Sequence, residues 1–178
     1  DCHRVISMGS GSPETENVPE TATEWLKTPF GQALLTQEKR LVEEAFDGLF
    51  GEYCLQIGLW GDANTFLRFA RTQRTACVAD RAGADAAEAG AGPGAIGQLY
   101  RLPVETNSVD VVFLPHTLDY CDDRSHAVLR EADRVLRPDG HLVALGFKPG
   151  GLWGLRRLFP GAGIPPGAGD LISDRKLS

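Results

Sequence analysis

The stretch VDVVFLPHTLDYCDDRSHAVLREADRVLRPDGHLVALGF, residues 109–147, decides the fold of this chain. Residues 109–114 and 141–147 are short apolar runs, which are typical of strands buried on both faces of a parallel sheet. Residues 124–136 predict a helix, because their apolar positions form one stripe at helical spacing. Pro138 cannot continue that helix, and Asp139-Gly140 predicts a turn. The stretch therefore predicts a right-handed strand–helix–strand unit that the rest of the chain extends.

The same stretch carries a family resemblance. Ser108-Val-Asp-Val-Val, His116-Thr-Leu and the segment LREADRVLRPDGHLV from Leu129 resemble the second half of a class I S-adenosylmethionine (SAM) methyltransferase. More narrowly, they are similar to the methyltransferase type 11 group. Leu102-Pro103, Gly146-Phe147 and Gly154-Leu-Arg-Arg-Leu follow the same pattern, which is most similar to a YafS-like bacterial subgroup. The resemblance covers residues 98–159 and continues more weakly from about residue 22 to the end.

The resemblance implies an α/β fold, a Rossmann-like class I methyltransferase sheet in the strand order 3-2-1-4-5. Such domains normally add a further helix and a hairpin. Residues 170–178 resemble the start of that helix, so we expect the C-terminal hairpin to be missing from this chain. Residues 1–21 are rich in Ser, Gly, Glu, Thr and Pro and predict a flexible N-terminal tail. Residues 22–178 are then one methyltransferase-like domain with an incomplete C-terminal part.

Charge and composition narrow the classes of function. The 178 residues carry a formal net charge of −6, which does not favour non-specific binding to nucleic acid or anionic membranes. No apolar run is long enough to span a bilayer and no signal peptide is evident, so we expect a cytoplasmic protein. The cysteines form no CxxC pair and the histidines have no zinc-type spacing, so we predict no metal site. Composition leaves the oligomeric state open, a dimer included.

The first half of the chain predicts helices alternating with strands. We expect a helix over residues 24–49, with Thr28 as its cap, and a short helix over 64–72. The apolar stripe of the first helix is predicted at Phe30, Leu34, Leu41, Ala45 and Leu49. The first three strands are predicted at residues 53–57, 75–79 and 96–100, and residues 82–97 favour a loop or a short helical turn. Trp25 suggests either a lid over a substrate or an aromatic anchor for the helix, and we favour the anchor.

The glycine loop of the family aligns with residues 56–62, between the first strand and the next helix. Glycines there let the backbone pass close to the methionyl part of SAM. Gly58 aligns with the first glycine, Trp60 stands at the second, and Gly61 is displaced by one position from the third. Gln56 replaces the usual acidic residue. The Trp60 ring has two alternatives: it turns away against the first helix near Phe30 and Leu34, or, as we slightly favour, it fills the SAM pocket and leaves a weak or closed site.

The resemblance implies further cofactor-binding residues beyond Gly58, Trp60 and Gly61. Asp80 ends the second strand, where a carboxylate accepts hydrogen bonds from both ribose hydroxyls. Gln98 stands where the family often has an adenine-binding Asp, and Leu99 follows it. His116 follows the fourth strand at the sheet edge where ligands bind, as a general base or, as we favour, a positioning residue.

These observations predict a divergent SAM-dependent methyltransferase with an unknown methyl acceptor and no assigned catalytic residue. The methyl group is activated by the sulfonium, so missing acid–base residues do not argue against this function. One alternative is a non-catalytic binding module that has lost SAM, and another is a nicotinamide-dependent oxidoreductase. In the core, we expect Val112 and Leu142 to be almost fully buried.

Overall fold

The computed structural model describes residues 22–80 and 94–147. Its elements are α1 (Ala22–Leu26), α2 (Pro29–Phe46), β1 (Phe50–Ile57), α3 (Asn64–Leu67), β2 (Arg71–Ala79), β3 (Ala95–Ile96), β4 (Val109–Pro115), α4 (Ser125–Val135) and β5 (Leu136–Leu145). Our predictions of an N-terminal tail and of a missing C-terminal hairpin lie outside the described residues, as do residues 82–93 of the loop predicted over 82–97.

The five strands form one parallel sheet in the order β3-β2-β1-β4-β5, which confirms the predicted fold class. One face of the sheet packs against α1, α2 and α3 through a cluster that includes Trp25, Phe46 and Phe113. The other face packs against α4 through a second cluster that includes Val112 and Val128. Because all strands run the same way, their carboxyl ends meet at one edge, and the loops there are the place for a site.

The deciding stretch folds as predicted in its first half and differs in its second. Val112 is 0% exposed in β4, as expected, but Leu142 in β5 is 45% exposed, so that prediction is wrong. β5 is the edge strand of the described sheet, so it has a neighbouring strand on one side only. β5 also begins at Leu136, directly after α4, rather than at residue 141. The register shifts between Val109 and Val111, so the predicted turn is a bulge inside β5.

The structure has two helices where one was predicted, because the helical conformation is interrupted at residues 27 and 28. Thr28 caps α2, its side chain accepting a hydrogen bond from the backbone N–H of Gly31, and Pro29 occupies the first turn. The predicted apolar stripe is wrong by one position, since Phe30 and Leu41 are each 57% exposed. The buried positions of α2 are Gly31, Leu35, Glu38, Val42 and Phe46. This stripe places a glutamate inside the protein.

Three elements around the site differ in length from their predictions. α3 is a single turn that ends at Leu67, β2 begins at Arg71, and β3 has only two residues. Gln98 and Leu99 therefore follow β3 in a loop rather than lying within it. Within the described ranges, no helix is both long and apolar enough to cross a membrane.

Candidate functional site

A cleft of about 850 Å³ opens at the carboxyl edge of the sheet. It is lined from three segments of the chain: the end of β2, the loop after β3, and the turns between β4 and α4. The lining residues are Asp80, Ile96, Gly97, Gln98, Leu99, Tyr100, Tyr120, Cys121, Asp123 and Arg124. Of the seven cofactor-binding residues predicted from the sequence, Asp80, Gln98 and Leu99 line this cleft. Gly58, Trp60, Gly61 and His116 are not among its lining residues.

The loop after β1 is held in a glycine-dependent conformation. Gly58 has φ +88°, and a Cβ atom there would stand 2.6 Å from the hydroxyl oxygen of Thr117. Its N–H donates to the carbonyl of Val78 at 2.8 Å, while the Thr117 hydroxyl donates to the carbonyl of Ile57. Gly61 also has a positive φ of +75°. The loop therefore packs closely against the turn that follows β4, and Gly58 permits that approach.

Trp60 points into the protein and is only 1% exposed. Its indole N–H donates to the carboxylate of Glu38 on α2 at 2.8 Å. Its ring packs against four other rings. The distances between ring centroids are 4.4 Å to His116, 5.8 Å to Tyr120, 6.0 Å to Phe147 and 6.4 Å to Trp25. The ring thus turns toward the first long helix, as in the first predicted alternative. On that helix the indole contacts Glu38, which lies one turn beyond Leu34, and not the region of Phe30.

Trp25 belongs to this aromatic cluster and is 3% exposed, which confirms the prediction of an anchor rather than a lid. The cluster joins α1, the loop after β1, the turns after β4 and the end of β5. No three of the described His, Cys, Asp and Glu residues are grouped in a way that could hold a metal ion.

His116 lies at the centre of a buried polar chain. One ring nitrogen is 2.8 Å from Glu38 and the other is 2.8 Å from Asp119. The backbone N–H of Phe147 donates to the same Asp119 carboxylate at 3.1 Å. His116 itself has φ 54°, a left-handed conformation that non-glycine residues seldom adopt. This backbone conformation accompanies a ring placed between two carboxylates from distant parts of the sequence.

The two carboxylates set the charge of the His116 ring. Burial by itself would lower the pKa of His116, but the hydrogen bonds and charges of Asp119 and Glu38 outweigh it and raise that pKa. An ionised carboxylate only accepts hydrogen bonds, so a protonated ring, which donates from both nitrogens, satisfies both neighbours. A protonated imidazole then balances part of the negative charge that Glu38 and Asp119 bring into the core.

Sequence reasoning missed Glu38, Asp119 and Tyr120 as members of this region. Glu38 lies 78 positions from His116, and no local motif links the two. A signal did exist: Glu38 stands on the stripe of Leu35 and Val42, where a charged residue requires a buried partner. Asp119 and Tyr120 lie before the helix predicted over residues 124–136, where the chain forms two separate 3-10 turns.

Comparison with known proteins finds one matching family and several similar structures. Residues 61–144 match the family described as Methyltransferase domain. A SAM-dependent methyltransferase structure from Thermotoga maritima is similar over 88% of this chain and 75% of that chain, with a TM-score of 0.61 and 20% identity. Over residues 61–144 the chain is similar to the methyltransferase domain family. The family match covers slightly less than half of the sequence.

Two further relatives define what the likeness covers. Protein YafS of Escherichia coli (strain K12) is 56% identical over 59 residues, which is 33% of this chain and 24% of YafS. The match therefore spans about a quarter of that relative. A complex between the Haloferax volcanii Trm112 methyltransferase activator and a protein assigned as a methyltransferase aligns with a TM-score of 0.52 and 19% identity, over 71% of this chain and 60% of that chain. At these identities the structural likeness establishes the fold alone.

Proposed function

We propose that this domain is a SAM-dependent methyltransferase that holds the nucleoside of its cofactor in the cleft at the sheet edge. The observation that supports the proposal most is that Asp80, Gln98 and Leu99 line one cleft. They come from two segments separated by more than fifteen positions, and the family resemblance implied all three as cofactor-binding residues. The acceptor of the methyl group is not assigned.

The residues that line the cleft fit the chemistry of an adenosine group. Asp80 is exposed at the end of β2, where its carboxylate can accept hydrogen bonds from two ribose hydroxyls. The Gln98 amide oxygen can accept a hydrogen bond from the adenine amino group. Leu99 is 9% exposed and offers an apolar contact for the base. These residues would bind and orient the cofactor without themselves reacting.

SAM would supply an activated methyl group on its sulfonium, so the protein must chiefly align the acceptor and exclude water. Trp60 supports this proposal over a non-catalytic module, because the ring lies against Glu38 and does not line the cleft. The aromatic cluster around Trp60 is buried and contacts Tyr120, which lines the cleft. Gly58 and the loop after it would stand beside the methionyl arm, in keeping with the family resemblance.

Binding measurements on Asp80→Asn test the proposal. Isothermal titration should detect binding of S-adenosylhomocysteine and SAM to the unmodified protein, and no tighter binding of NAD. Loss of a charged hydrogen-bond acceptor costs roughly 1.5–3 kcal/mol, so the variant should bind at least tenfold more weakly. Asp133→Asn is the control, because Asp133 is exposed on α4 outside the cleft. If the unmodified protein binds neither adenosyl compound, or prefers NAD, the proposed function is wrong.

A further inference from the structure

Helix α2 carries a second stripe of mainly apolar residues beside the one that packs in the core. Each member of this second stripe precedes a buried residue of α2 by one position, and we term it the outer stripe. Its members are Phe30, Leu34, Gln37, Leu41 and Ala45. Phe30 and Leu41 are each 57% exposed, Gln37 and Ala45 are exposed, and Leu34 is half-buried. A contiguous apolar surface, unlike a scattered one, marks a site of interaction with another protein surface.

The outer stripe is complementary to itself when it is read in the opposite direction. Two α2 helices that pack antiparallel about a two-fold axis next to Gln37 place Leu34 of one copy opposite Leu41 of the other. The same axis places the large ring of Phe30 opposite the small methyl group of Ala45. At the axis, Gln37 faces Gln37, and two amides can each donate to and accept from the other. In a two-fold interface every contact occurs twice with the roles exchanged, so such a stripe fits a second copy of the chain.

The charges of α2 also favour the antiparallel arrangement. Its first turn holds no acidic residue and its last turn holds no basic one. Glu43 and Glu44 instead lie exposed in the last turn, at the negative end of the helix dipole. Antiparallel packing brings these carboxylates to the first turn of the second copy's α2, where the dipole end is positive. Parallel packing would place the acidic ends of the two helices side by side.

We propose that the outer stripe of α2 is the contact surface between two copies of this chain, which pack through antiparallel α2 helices. The inference is independent of the proposed function, because none of the outer-stripe residues lines the cleft. With 18 residues, α2 is about 27 Å long. One such helix from each copy buries less than the roughly 1,200–2,000 Å² of a standard interface. The dimer is therefore weak, with a dissociation constant in the micromolar range.

Analytical ultracentrifugation of the full chain tests the contact. The average mass should rise from that of one copy toward that of two as the protein concentration increases through the micromolar range. Leu41→Lys places a charge opposite Leu34 of the second copy and should weaken dimerisation at least tenfold. The control is Leu142→Lys, because Leu142 is 45% exposed on β5, outside the outer stripe. That variant should dimerise like the unmodified protein.

Charged residues at Gln37 test the position of the axis. In Gln37→Glu and in Gln37→Lys, two like charges face each other across the axis, so each variant alone should dimerise at least fivefold more weakly. An equimolar mixture of the two should dimerise at least as well as the unmodified protein, because Glu then faces Lys. Gln37 is exposed, so both variants should unfold at the temperature of the unmodified protein when measured at low concentration.

Three outcomes would overturn the inference. A chain that stays single at every concentration would show that the outer stripe takes another occupant, either residues outside the described ranges or a different protein. A dimer that Leu41→Lys leaves intact would place the contact on another surface. Failure of the Gln37 mixture to restore dimerisation would exclude the two-fold arrangement of α2. None of these outcomes affects the proposed function, which the adenosyl-binding measurements test separately.

Discussion

At the scale of single residues, Gly58 is a position where a side chain would collide with Thr117. A side chain at Gly58 would have to adopt φ +88° and would approach the Thr117 hydroxyl to 2.6 Å. We expect Gly58→Ala to lower the free energy of unfolding by more than about 2 kcal/mol, through backbone strain and the displaced turn. Urea unfolding measures this change.

Gly48 provides the matched control for that prediction. A Cβ atom at Gly48 would meet nothing within 4 Å, and its φ is not in the left-handed range. Gly48→Ala should leave stability unchanged or raise it by about 0.4–1 kcal/mol, because alanine restricts the unfolded chain. Similar losses in both variants would show that the Gly58–Thr117 contact is not specific.

Residues also show where sequence reasoning stops. Gly58, Asp80 and Gln98 were predicted because the family resemblance aligns them with cofactor-binding positions, and the ends of parallel strands meet at one edge of the sheet. Glu38 and Asp119 were not, because their roles arise from contacts with His116 that only the folded chain creates. A pattern of spacings predicts which residues share an edge or a face. It does not predict which polar groups will pair inside.

At the scale of elements, β4 and β5 carry one leucine each that can be compared directly. Leu114 in β4 is 0% exposed, whereas Leu142 in β5 is 45% exposed. Leu114→Ala should cost about 2–5 kcal/mol, because a buried leucine leaves a cavity. Leu142→Ala should cost less than about 1 kcal/mol, since its side chain is already partly hydrated. Denaturant unfolding of both variants measures the difference, and equal costs would show that β5 is covered in solution.

The errors in the predicted elements have a common physical cause. In α2, the stripe through Phe30 and Leu34 and the stripe through Leu35 and Val42 are both apolar, and periodicity alone does not choose between them. The choice depends on what the helix packs against. For β5, an apolar run predicted burial on both faces. β5 is an edge strand of the described sheet, however, and has a neighbouring strand on one side only. The order of the sheet was predictable from the alternation of elements, whereas facing and coverage were not.

At the scale of the whole molecule, a series of side-chain hydrogen bonds connects α2 to the turns after β1 and β4. It runs from Trp60 through Glu38 and His116 to Asp119. The N–H of Phe147 extends it to the end of β5. Glu38 and His116 are 3% and 1% exposed, so this is a charged network within the core. Such a network stabilises a fold only while its charges are balanced, because an unpaired buried charge is costly. Stability should therefore depend on the protonation of His116.

The direction of that dependence follows from the raised pKa of His116. The folded state holds the proton more tightly than the unfolded chain, whose histidine has a pKa near about 6.5. The stabilising contribution is complete below that pH and is lost as the pH rises through the folded pKa, by at most about 1.4 kcal/mol per pH unit. The buried thiols of Cys54 and Cys77, each with a pKa raised to about 12, add a decline of the same sign only above about pH 8.5. Measurements between about pH 6 and 8 therefore isolate the histidine.

Glu38→Gln tests this account, because it removes one of the two charges that raise the pKa of His116 and keeps a side chain of the same shape. We expect the His116 pKa, measured by NMR titration, to fall, and the loss of stability in urea unfolding to move to lower pH. Glu43→Gln is the matched control, since Glu43 is exposed on the same helix. In that variant, the His116 pKa and the pH dependence of stability should equal those of the unmodified protein. A His116 pKa below about 6.5 in the unmodified protein, or one unchanged by Glu38→Gln, would mean that Glu38 and His116 do not share a proton-dependent pairing, and that packing alone fixes Trp60.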